Sequence, residues 1–399
     1  MFEKRYRLNL VFNANKVYDR QVIEGIGEYL QAAQCDWDVY FEDDFRSRLD
    51  ALKHWKGDGI IADFDNPEVE EILKNTDIPT VAVGGSYHHK KDYPRLPYVA
   101  TDNAALVRCA YQHLKRKGLP QFAFYGVPST DYSRWASERE HAFVEQVRSD
   151  GFEPHVHQGF CTSAEIWETA QHALEAWLNN LPNPIGIIAV TDSRARHLLQ
   201  VCDHLNILVP EQVAIVGIDN ESMARYLNRT ALSSVEQGSK QMGYEAAKML
   251  HRMLLGYPVE NSLVVVDPIG IAERQSSDYR ALHDPYVIQA MHFIRHNACR
   301  GVKVAQVVDY IGISRTNLET RFIDEIGCSM HEQLHMTKFY RACELITSTD
   351  LPFDEIARTC GYPSVQYMYT VSRKNLGMTP GNIACRRGLV KTISCDLNI

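Results

Sequence analysis

A chain of 399 residues with 45% hydrophobic and 23% charged residues has an ordinary globular composition and enough length for two or three domains. No run of about 18 apolar residues is present, so we expect no transmembrane helix. The first residues pass from charged side chains directly into a short alternating strand, which argues against a signal peptide, and we therefore expect a cytoplasmic protein.

The net charge of −8 is unevenly distributed along the chain. Residues 285–399 carry 13 lysines and arginines against 10 acidic residues, a net charge of +3, whereas the residues before them carry 29 against 40, a net charge of −11. Such asymmetry is typical of a nucleic-acid-binding module joined to an acidic one, although many solvated domains share it. The sequence pattern must therefore decide the function class.

Over the first 275 residues, short β-rich segments alternate with longer helical patterns. One series runs from RLNLVFN to IPTVAVGG, and a second begins near Thr101 and runs to VAIVGIDN. Strands that alternate with helices predict α/β lobes with parallel sheets covered on both faces, and two series predict two lobes within residues 1–280. Ligands of such sheets bind beyond the carboxyl ends of the strands, so loops that follow strands are the candidate site.

From Asp284 onward, one helical pattern follows another without a β-rich segment, which predicts an all-α domain over residues 285–390. The boundary falls in the polar segment ERQSSDYRALHDP, which has few apolar anchors and ends on a proline suited to the first turn of a helix.

Two segments of this helical domain share one layout, in which an apolar helix is followed by a glycine turn and a helix opened by serine. Gly312 and Ser314 take these places in the first segment, and Gly361 and Ser364 take them in the second. One copy alone is equally well explained as a plain helical hairpin, but two copies favour two helix-turn-helix units.

In the second helix of each unit, Leu318, Phe322 and Met368 fall on the side that faces the core. The opposite side is suited to enter the major groove of DNA and reach base edges. The predicted DNA-reading residues are Arg315, Thr316, Glu319 and Thr320 in the first unit and Ser364, Gln366, Tyr369 and Thr370 in the second.

The second unit resembles the arabinose-activator family of bacterial transcription factors, whose DNA-binding domain holds two such units joined by a long helix. The matching residues are Phe353, Ile356, Ala357, Gly361, Tyr362, Ser364, Gly377, Thr379 and Pro380. Two positions depart from the family, because Ser372 and Ile383 stand where it carries aromatic residues. Replacing a buried Phe by Ser costs on the order of several kcal/mol, so we expect a less stable or differently docked second unit.

The second α/β series contains VTDSRARHLLQVCDHLNILVPEQVAIVGIDNE, which reads as a polar loop, a helix, a proline-marked turn, a strand and an acidic loop. With TDN at 101–103, it resembles the effector domain of the lactose-repressor family and periplasmic sugar-binding proteins, over about residues 5–275. The resemblance implies a sugar-binding module of two lobes.

Sugar hydroxyls both donate and accept hydrogen bonds, so carboxylates, amides and arginines at strand ends suit them, while an aromatic ring covers the C–H face. The resemblance implies ligand contacts at Asp219, Arg139 and Thr191. The further candidates are Gln237, Tyr18, Asp19, Asp63 and Asp65.

Simpler explanations compete for several of these positions. Arg139 would also fit a surface helix, and Asp63 and Asp65 would fit a turn, where acidic residues are common. Asp192 and Asn220 are better explained as helix caps than as ligand contacts.

The sequence contains no nucleophile elbow, phosphate loop or zinc-protease motif, and its ten cysteines lack metal-ligand spacing, so we expect neither an enzyme nor a metal or cofactor. The cysteines are expected to be reduced thiols. A transport-binding protein is the remaining rival, but it would require export and would not use helix-turn-helix units.

The joining of these two modules resembles an enterobacterial family of xylose regulators, with IADFD, GGSYH and MHFIRHNAC among the matching segments. The resemblance implies D-xylose as the effector and activation of genes for xylose uptake and catabolism. It further implies promoter DNA and RNA polymerase as partners and a homodimer as the assembly. Pocket chemistry alone leaves another pentose or another sugar open.

Overall fold

The computed structural model describes residues 5–41, 45–160, 164–221, 227–259 and 262–385. The chain forms two compact units, residues 1–280 and 281–399. Residues 386–390 of the predicted helical domain, together with Cys161 and Cys395, lie outside the described residues. The cysteines within the described ranges are free thiols. None of the helices in those ranges is long and apolar enough to cross a membrane.

The first lobe of the larger unit is built on a six-stranded parallel sheet. From one edge to the other its strands are β11 (Leu263–Val266), β5 (Tyr98–Thr101), β4 (Thr80–Gly85), β3 (Gly59–Asp63), β1 (Tyr6–Val11) and β2 (Trp37–Tyr40). Its helices are α1 (Val17–Ala32), α2 (Phe45–Leu52), α3 (Pro67–Leu73) and α8 (Ser239–Leu254). Every residue of β3 and β4 is buried, because helices cover both faces of the sheet.

The second lobe also has a six-stranded sheet. Its strands, from edge to edge, are β12 (Gly270–Ala272), β10 (Ser233–Glu236), β9 (Val213–Ile218), β8 (Ile185–Ala189), β6 (Phe122–Gly126) and β7 (Pro154–Gln158). Its helices are α4 (Asn103–Arg116), α5 (Arg134–Ser149), α6 (Trp167–Asn179) and α7 (Asp192–His204). The edge strand β12 pairs antiparallel with β10, so this sheet is not parallel throughout.

The chain crosses between the lobes three times, after β5, after β10 and after β11. The lobes are therefore not the two successive halves that the sequence pattern suggested, because α8 and β11 return to the first lobe. Helix α8 packs closely against α1, and a Cβ atom on Gly243 would overlap the carbonyl oxygen of Val22. The crossings place three chain segments where the two lobes meet.

The smaller unit is all-α, as expected. Its helices are α9 (Pro285–Asn297), α10 (Val304–Ile311), α11 (Arg315–Ile326), α12 (Met330–Ser348), α13 (Phe353–Thr359), α14 (Val365–Leu376) and α15 (Pro380–Cys385). Helix α9 begins at Pro285, and the Asp284 side chain accepts the main-chain N–H groups of Tyr286 and Val287. Short 3-10 turns across both units lie at Lys90–Asp92, Asp131–Ser133, Ala164–Ile166, Gln275–Ser277 and Ala298–Arg300.

The long helix α12 joins two separate hydrophobic cores, one for each helix-turn-helix unit. Its residues Met330 and Leu334 pack in the first core with Leu318 and Phe322, while Phe339 packs in the second. Each unit therefore has an apolar centre of its own, and α12 contributes side chains to both.

The departures at Ser372 and Ile383 occupy buried positions of the second core, with 1% and 2% of their surface exposed. The Ser372 hydroxyl donates to the carbonyl oxygen of Met368 at 2.9 Å, so this polar group has a partner within its own helix. The second unit thus keeps a packed core around a smaller side chain.

Candidate functional site

Asp219 lies directly after β9, at the carboxyl end of the strand. Its backbone has φ of 123°, a positive value that residues other than glycine rarely adopt. Its main-chain N–H donates to the carbonyl oxygen of Val235 at 3.0 Å, which ties the loop to β10. Strained backbone of this kind is concentrated at functional sites, so this loop is the first candidate for ligand contact.

The buried guanidinium of Arg139, 3% exposed, organises the polar groups around Asp219. It donates to Asn103 Oδ1 at 3.0 Å, to the carbonyl oxygen of Val190 at 2.7 Å and to Gln237 Oε1 at 3.0 Å. The Gln237 amide in turn donates to the Asp219 carboxylate. Arg139 is therefore not a surface helix residue, and the chain of contacts from Arg139 through Gln237 fixes the Asp219 carboxylate.

Gln237 and Asn103 both lie where the chain crosses between the lobes. Gln237 follows β10, and Asn103 begins α4 directly after the crossing that follows β5. Asn103 was not among the predicted site residues, although it follows a strand in TDN just as Asp63 and Asp65 follow a strand in IADFD. Both amides are almost completely buried.

The first lobe contributes three carboxylates, Asp19, Asp63 and Asp65. Asp63 forms an ion pair with Lys16 at 3.0 Å, and one Asp65 oxygen accepts the Gly85 N–H at 2.8 Å. Asp19 is fully buried, and its Oδ2 accepts the main-chain N–H of Asn13 at 2.6 Å. Its Oδ1 is buried without a hydrogen-bond partner among the described residues. This oxygen can accept a donor from a ligand.

Removal from water changes the protonation of these groups. Burial and the nearby Asp192 together raise the carboxyl pKa of Asp219 to about 7. Burial and the neighbouring Asp63 also raise the carboxyl pKa of Asp19 well above its usual value. Hydroxyl donors stabilise the ionised form of a carboxylate, so these side chains suit a ligand that carries hydroxyl groups.

Two of the predicted residues are held in other ways. The Thr191 hydroxyl accepts the Arg194 N–H at 3.4 Å and caps α7, so its contact with a sugar remains a prediction. The Tyr18 hydroxyl donates to Met242 Sδ at 3.6 Å. Burial and the carboxylates of Asp65, Asp63 and Asp19 raise the pKa of Tyr18 well above its usual value, and its contact with a sugar stays a prediction.

The helix-cap explanation is wrong for Asp192, whereas for Asn220 it stays a prediction, because residues 222–226 lie outside the described residues. Asp192 is the first residue inside α7 and accepts the Ser234 hydroxyl at 2.6 Å. Asn220 donates to Glu236 at 2.9 Å and accepts from Arg274 at 2.7 Å. Both side chains support the loop that carries Asp219.

Arg134 joins the lobes directly. It extends from α5 of the second lobe to the Asp65 carboxylate of the first, and it donates to the carbonyl oxygen of Ser86 at 2.9 Å. Its guanidinium also lies 3.6 Å from the centre of the Tyr87 ring. The ring of the next residue, Trp135, contacts Arg139, whose guanidinium carbon lies 4.8 Å from the ring centre. The sequence alone gave no sign of either contact.

The helix-turn-helix units have the predicted turns and caps. Gly312 and Gly361 have φ of 78° and 68°. Ser314 and Ser364 accept main-chain N–H groups of their helices at 3.4 and 3.2 Å. The predicted core-facing side chains are confirmed as buried, namely Leu318, Phe322 and Met368.

The predicted DNA-reading residues differ in exposure. Those fully on the surface are Arg315, Thr316, Thr320, Ser364, Gln366 and Thr370. Glu319 and Tyr369 are half-buried, and the Tyr369 ring packs edge-on to Phe353 at 6.1 Å. The exposed residues are accessible to a DNA surface, whereas the Tyr369 ring also packs against Phe353.

Three family models match successive parts of the chain. The XylR N-terminal domain matches residues 7–104, the periplasmic binding protein-like domain matches residues 111–277, and a helix-turn-helix domain matches residues 307–385.

The chain is similar along almost its whole length to known regulators. It is 54% identical over 380 residues to the xylose operon regulatory protein of Escherichia coli strain K12, covering 95% of this chain and 97% of that protein. It is 50% identical over 380 residues to the protein of the same name from Haemophilus influenzae, covering 95% and 98%.

Solved structures agree with these similarities. The structure of the xylose-binding transcription activator xylR matches with a TM-score of 0.87 and 52% identity, over 96% of this chain and 99% of that one. The lac repressor dimer bound to operator and an anti-inducer matches with a TM-score of 0.55 and 12% identity, over 69% and 95%. This second match shows the shared fold alone.

Proposed function

Because this chain belongs to the family of xylose operon regulatory proteins, we propose that it is a D-xylose-responsive, DNA-binding transcriptional activator of genes for xylose uptake and catabolism. The chain of contacts from Arg139 through Gln237 to Asp219, in a chain that also carries two helix-turn-helix units, is the observation that supports this function best. The chain is a regulator and not an enzyme.

The sugar would bind where the lobes meet. Asp219 and the unpaired oxygen of Asp19 would accept sugar hydroxyls, and Arg139, Gln237 and Asn103 would hold the acceptors in place. Because one set of groups belongs to the first lobe and the other to the second lobe and the crossings, a bound sugar would favour the arrangement in which the lobes are close together. It can shift this equilibrium only through its different affinity for the two arrangements.

The change in the lobes would alter how the helical units engage promoter DNA. We propose a cytoplasmic homodimer, whose two helical domains would present four reading helices to tandem half-sites. The lac repressor, which shares the sensor fold, is a dimer in its solved structure on operator. Activation would follow from contact with RNA polymerase beside the promoter, with D-xylose as effector and no cofactor.

The proposed function is tested by calorimetric titration of the protein with D-xylose, L-arabinose, D-ribose and D-glucose. The sugar that binds is then added to a promoter-DNA binding measurement. We expect selective binding of D-xylose and tighter promoter binding in its presence. Binding of another pentose instead would make that pentose the effector. Binding of D-xylose without any effect on DNA affinity would contradict the proposed coupling between sugar binding and DNA binding.

A further inference from the structure

A cleft of about 820 Å³ opens between the two helix-turn-helix units. Its walls include Arg315, the first residue of α11, and the segment 361–363, which ends directly before the Ser364 cap of α14. Both reading helices therefore begin at the rim of this cleft. Helix α12 also lines the cleft, through residues such as Leu334.

The walls of the cleft carry a concentration of positive charge in a chain whose net charge is −8. Five cations line it, namely Arg300, Lys303, Arg315, Lys338 and Arg358, and no Asp or Glu is among the lining residues. One of them, Lys338, donates to the carbonyl oxygen of Gly361 at 3.3 Å, which holds its charge in the cleft. Since no wall of the cleft supplies an opposite charge, the site favours an anion.

The position of the cleft identifies the anion. A reading helix enters the major groove by its N-terminal end, and two successive major-groove segments on one face of DNA are separated by the minor groove and the sugar-phosphate strands that border it. We propose that this cleft binds the phosphodiester backbone between the two major-groove segments that α11 and α14 read. This inference rests on the proposed DNA-binding function and adds a second contact site to it. Most of the residues of this site are not among the predicted DNA-reading residues.

A pair of histidines lines this cleft, and one of them, His335, has an altered pKa. His331 and His335, on α12, both line the cleft with ring centres 4.6 Å apart. Burial lowers the pKa of His335, and His331, Lys338 and Lys374 lower this pKa further. The other charged or titratable groups nearby are Glu332 on α12, Tyr367 on α14, Cys299 and Tyr362, and the cations Arg300, Lys303, Arg315 and Arg358.

A phosphate in the cleft offsets the repulsion that helps to lower the pKa of His335. Proton uptake by His335 therefore accompanies DNA binding, and the affinity for DNA of any sequence rises as pH falls from about 8 to about 6.

The test compares a promoter duplex and an unrelated duplex of equal length by fluorescence anisotropy over a salt series. The variant is Lys303→Gln/Arg358→Gln, and the control is Lys248→Gln/Arg229→Gln, which removes the same charges from exposed positions of the sensor unit. We expect the variant to bind both duplexes roughly tenfold or more weakly, by similar factors, with a salt slope less steep by about two. Unchanged sugar binding and an unchanged thermal midpoint exclude misfolding.

A second variant, His331→Gln/His335→Gln, is expected to bind both duplexes with much less dependence on pH than the native chain. A salt slope equal to that of the control, or weakening confined to the promoter duplex, overturns the backbone site. A pH dependence that survives the histidine variant overturns the role of the pair. If the native chain does not distinguish the promoter from the unrelated duplex, the proposed function fails, while the unrelated duplex still tests the cleft.

Discussion

Asp219 combines a left-handed backbone with a carboxyl group that has been largely removed from water. Either feature alone destabilises the folded chain, and the surrounding contacts from Gln237 and Val235 compensate for them. A residue needed only for the fold would not require this combination. The sequence placed Asp219 behind a strand, but only the structure gives its unusual conformation and its altered carboxyl pKa.

Sugar binding should depend on pH through Asp219. Its pKa of about 7 in the sugar-free protein means that part of the population is protonated near neutrality. Sugar hydroxyls favour the ionised carboxylate, so binding lowers this pKa and releases a proton. The affinity for D-xylose should therefore rise as pH increases from 6 to 7 and level off above 8.

Calorimetry in buffers of different ionisation enthalpy measures this proton release. In Asp219→Asn, which keeps the shape of the side chain, we expect weak sugar binding without the pH dependence. Native affinity in this variant, within about twofold, would mean that the sugar binds elsewhere.

The turn glycines of the two helix-turn-helix units provide a comparison at the scale of elements. Both have positive φ, but their surroundings differ. A Cβ on Gly312 would meet no atom of the described residues within 4 Å, whereas a Cβ on Gly361 would lie 2.5 Å from the carbonyl oxygen of Cys299. The second turn is therefore packed against the segment before α10, and the first turn faces open space.

Gly312→Ala should destabilise the protein by about 1 to 2 kcal/mol, the cost of a left-handed alanine. Gly361→Ala adds the overlap with Cys299 and should cost at least about 1 kcal/mol more. Differential scanning calorimetry of the full chain measures the thermal midpoints of both variants, and Gly312→Ala serves as the control for backbone strain. Equal thermal midpoints for the two variants would show that the Cys299 segment moves aside without a cost in stability.

The pairing of α1 with α8 depends on glycine in the same way. A Cβ on Gly243 would overlap the carbonyl oxygen of Val22, because the two helices approach backbone to backbone. Within the part of the chain that the structure describes, a Cβ on Gly27 would meet no atom within 4 Å. Both glycines lie inside helices, where alanine is intrinsically favoured by about 1 kcal/mol.

Gly27→Ala should therefore be neutral or stabilising. Gly243→Ala should lower the thermal midpoint of the sensor and weaken sugar binding, because α8 joins the crossing segment that carries Gln237 to the first lobe. A Gly243→Ala protein with the native midpoint would contradict the close helix pairing.

For the whole molecule, the important contact is the one that Arg134 makes between lobes. Replacing it by glutamine removes the ion pair with Asp65, so the population with the lobes together should fall. The measured sugar affinity falls in proportion to the fraction of molecules in which the lobes are together. We expect Arg134→Gln to bind D-xylose roughly tenfold more weakly and to be more extended in small-angle X-ray scattering without sugar.

Arg148→Gln, on the exposed end of the same helix, is the matched control and should behave as the native chain. If Arg134→Gln binds weakly while its scattering is unchanged, Arg134 contacts the sugar directly and does not hold the lobes together.

Many structural features of this protein can be predicted from its sequence, because they depend on interactions between residues that are close together in the chain. Hydrophobic periodicity predicts the strands and helices, and short-range sterics place glycine and serine at the turns and caps of the two helix-turn-helix units. The polar residues behind strands were predicted for the same reason, since every parallel strand ends at the edge of its sheet.

Contacts between distant residues were decided only by the tertiary structure. Arg139 meets Gln237 across 98 positions of the chain, and Arg134 meets Asp65 across 69. The return of α8 to the first lobe, the capping role of Thr191 and the burial of Arg139 also depend on how the lobes are threaded. No periodicity records these pairings, because a local pattern specifies which face of an element is buried and not which partner covers it.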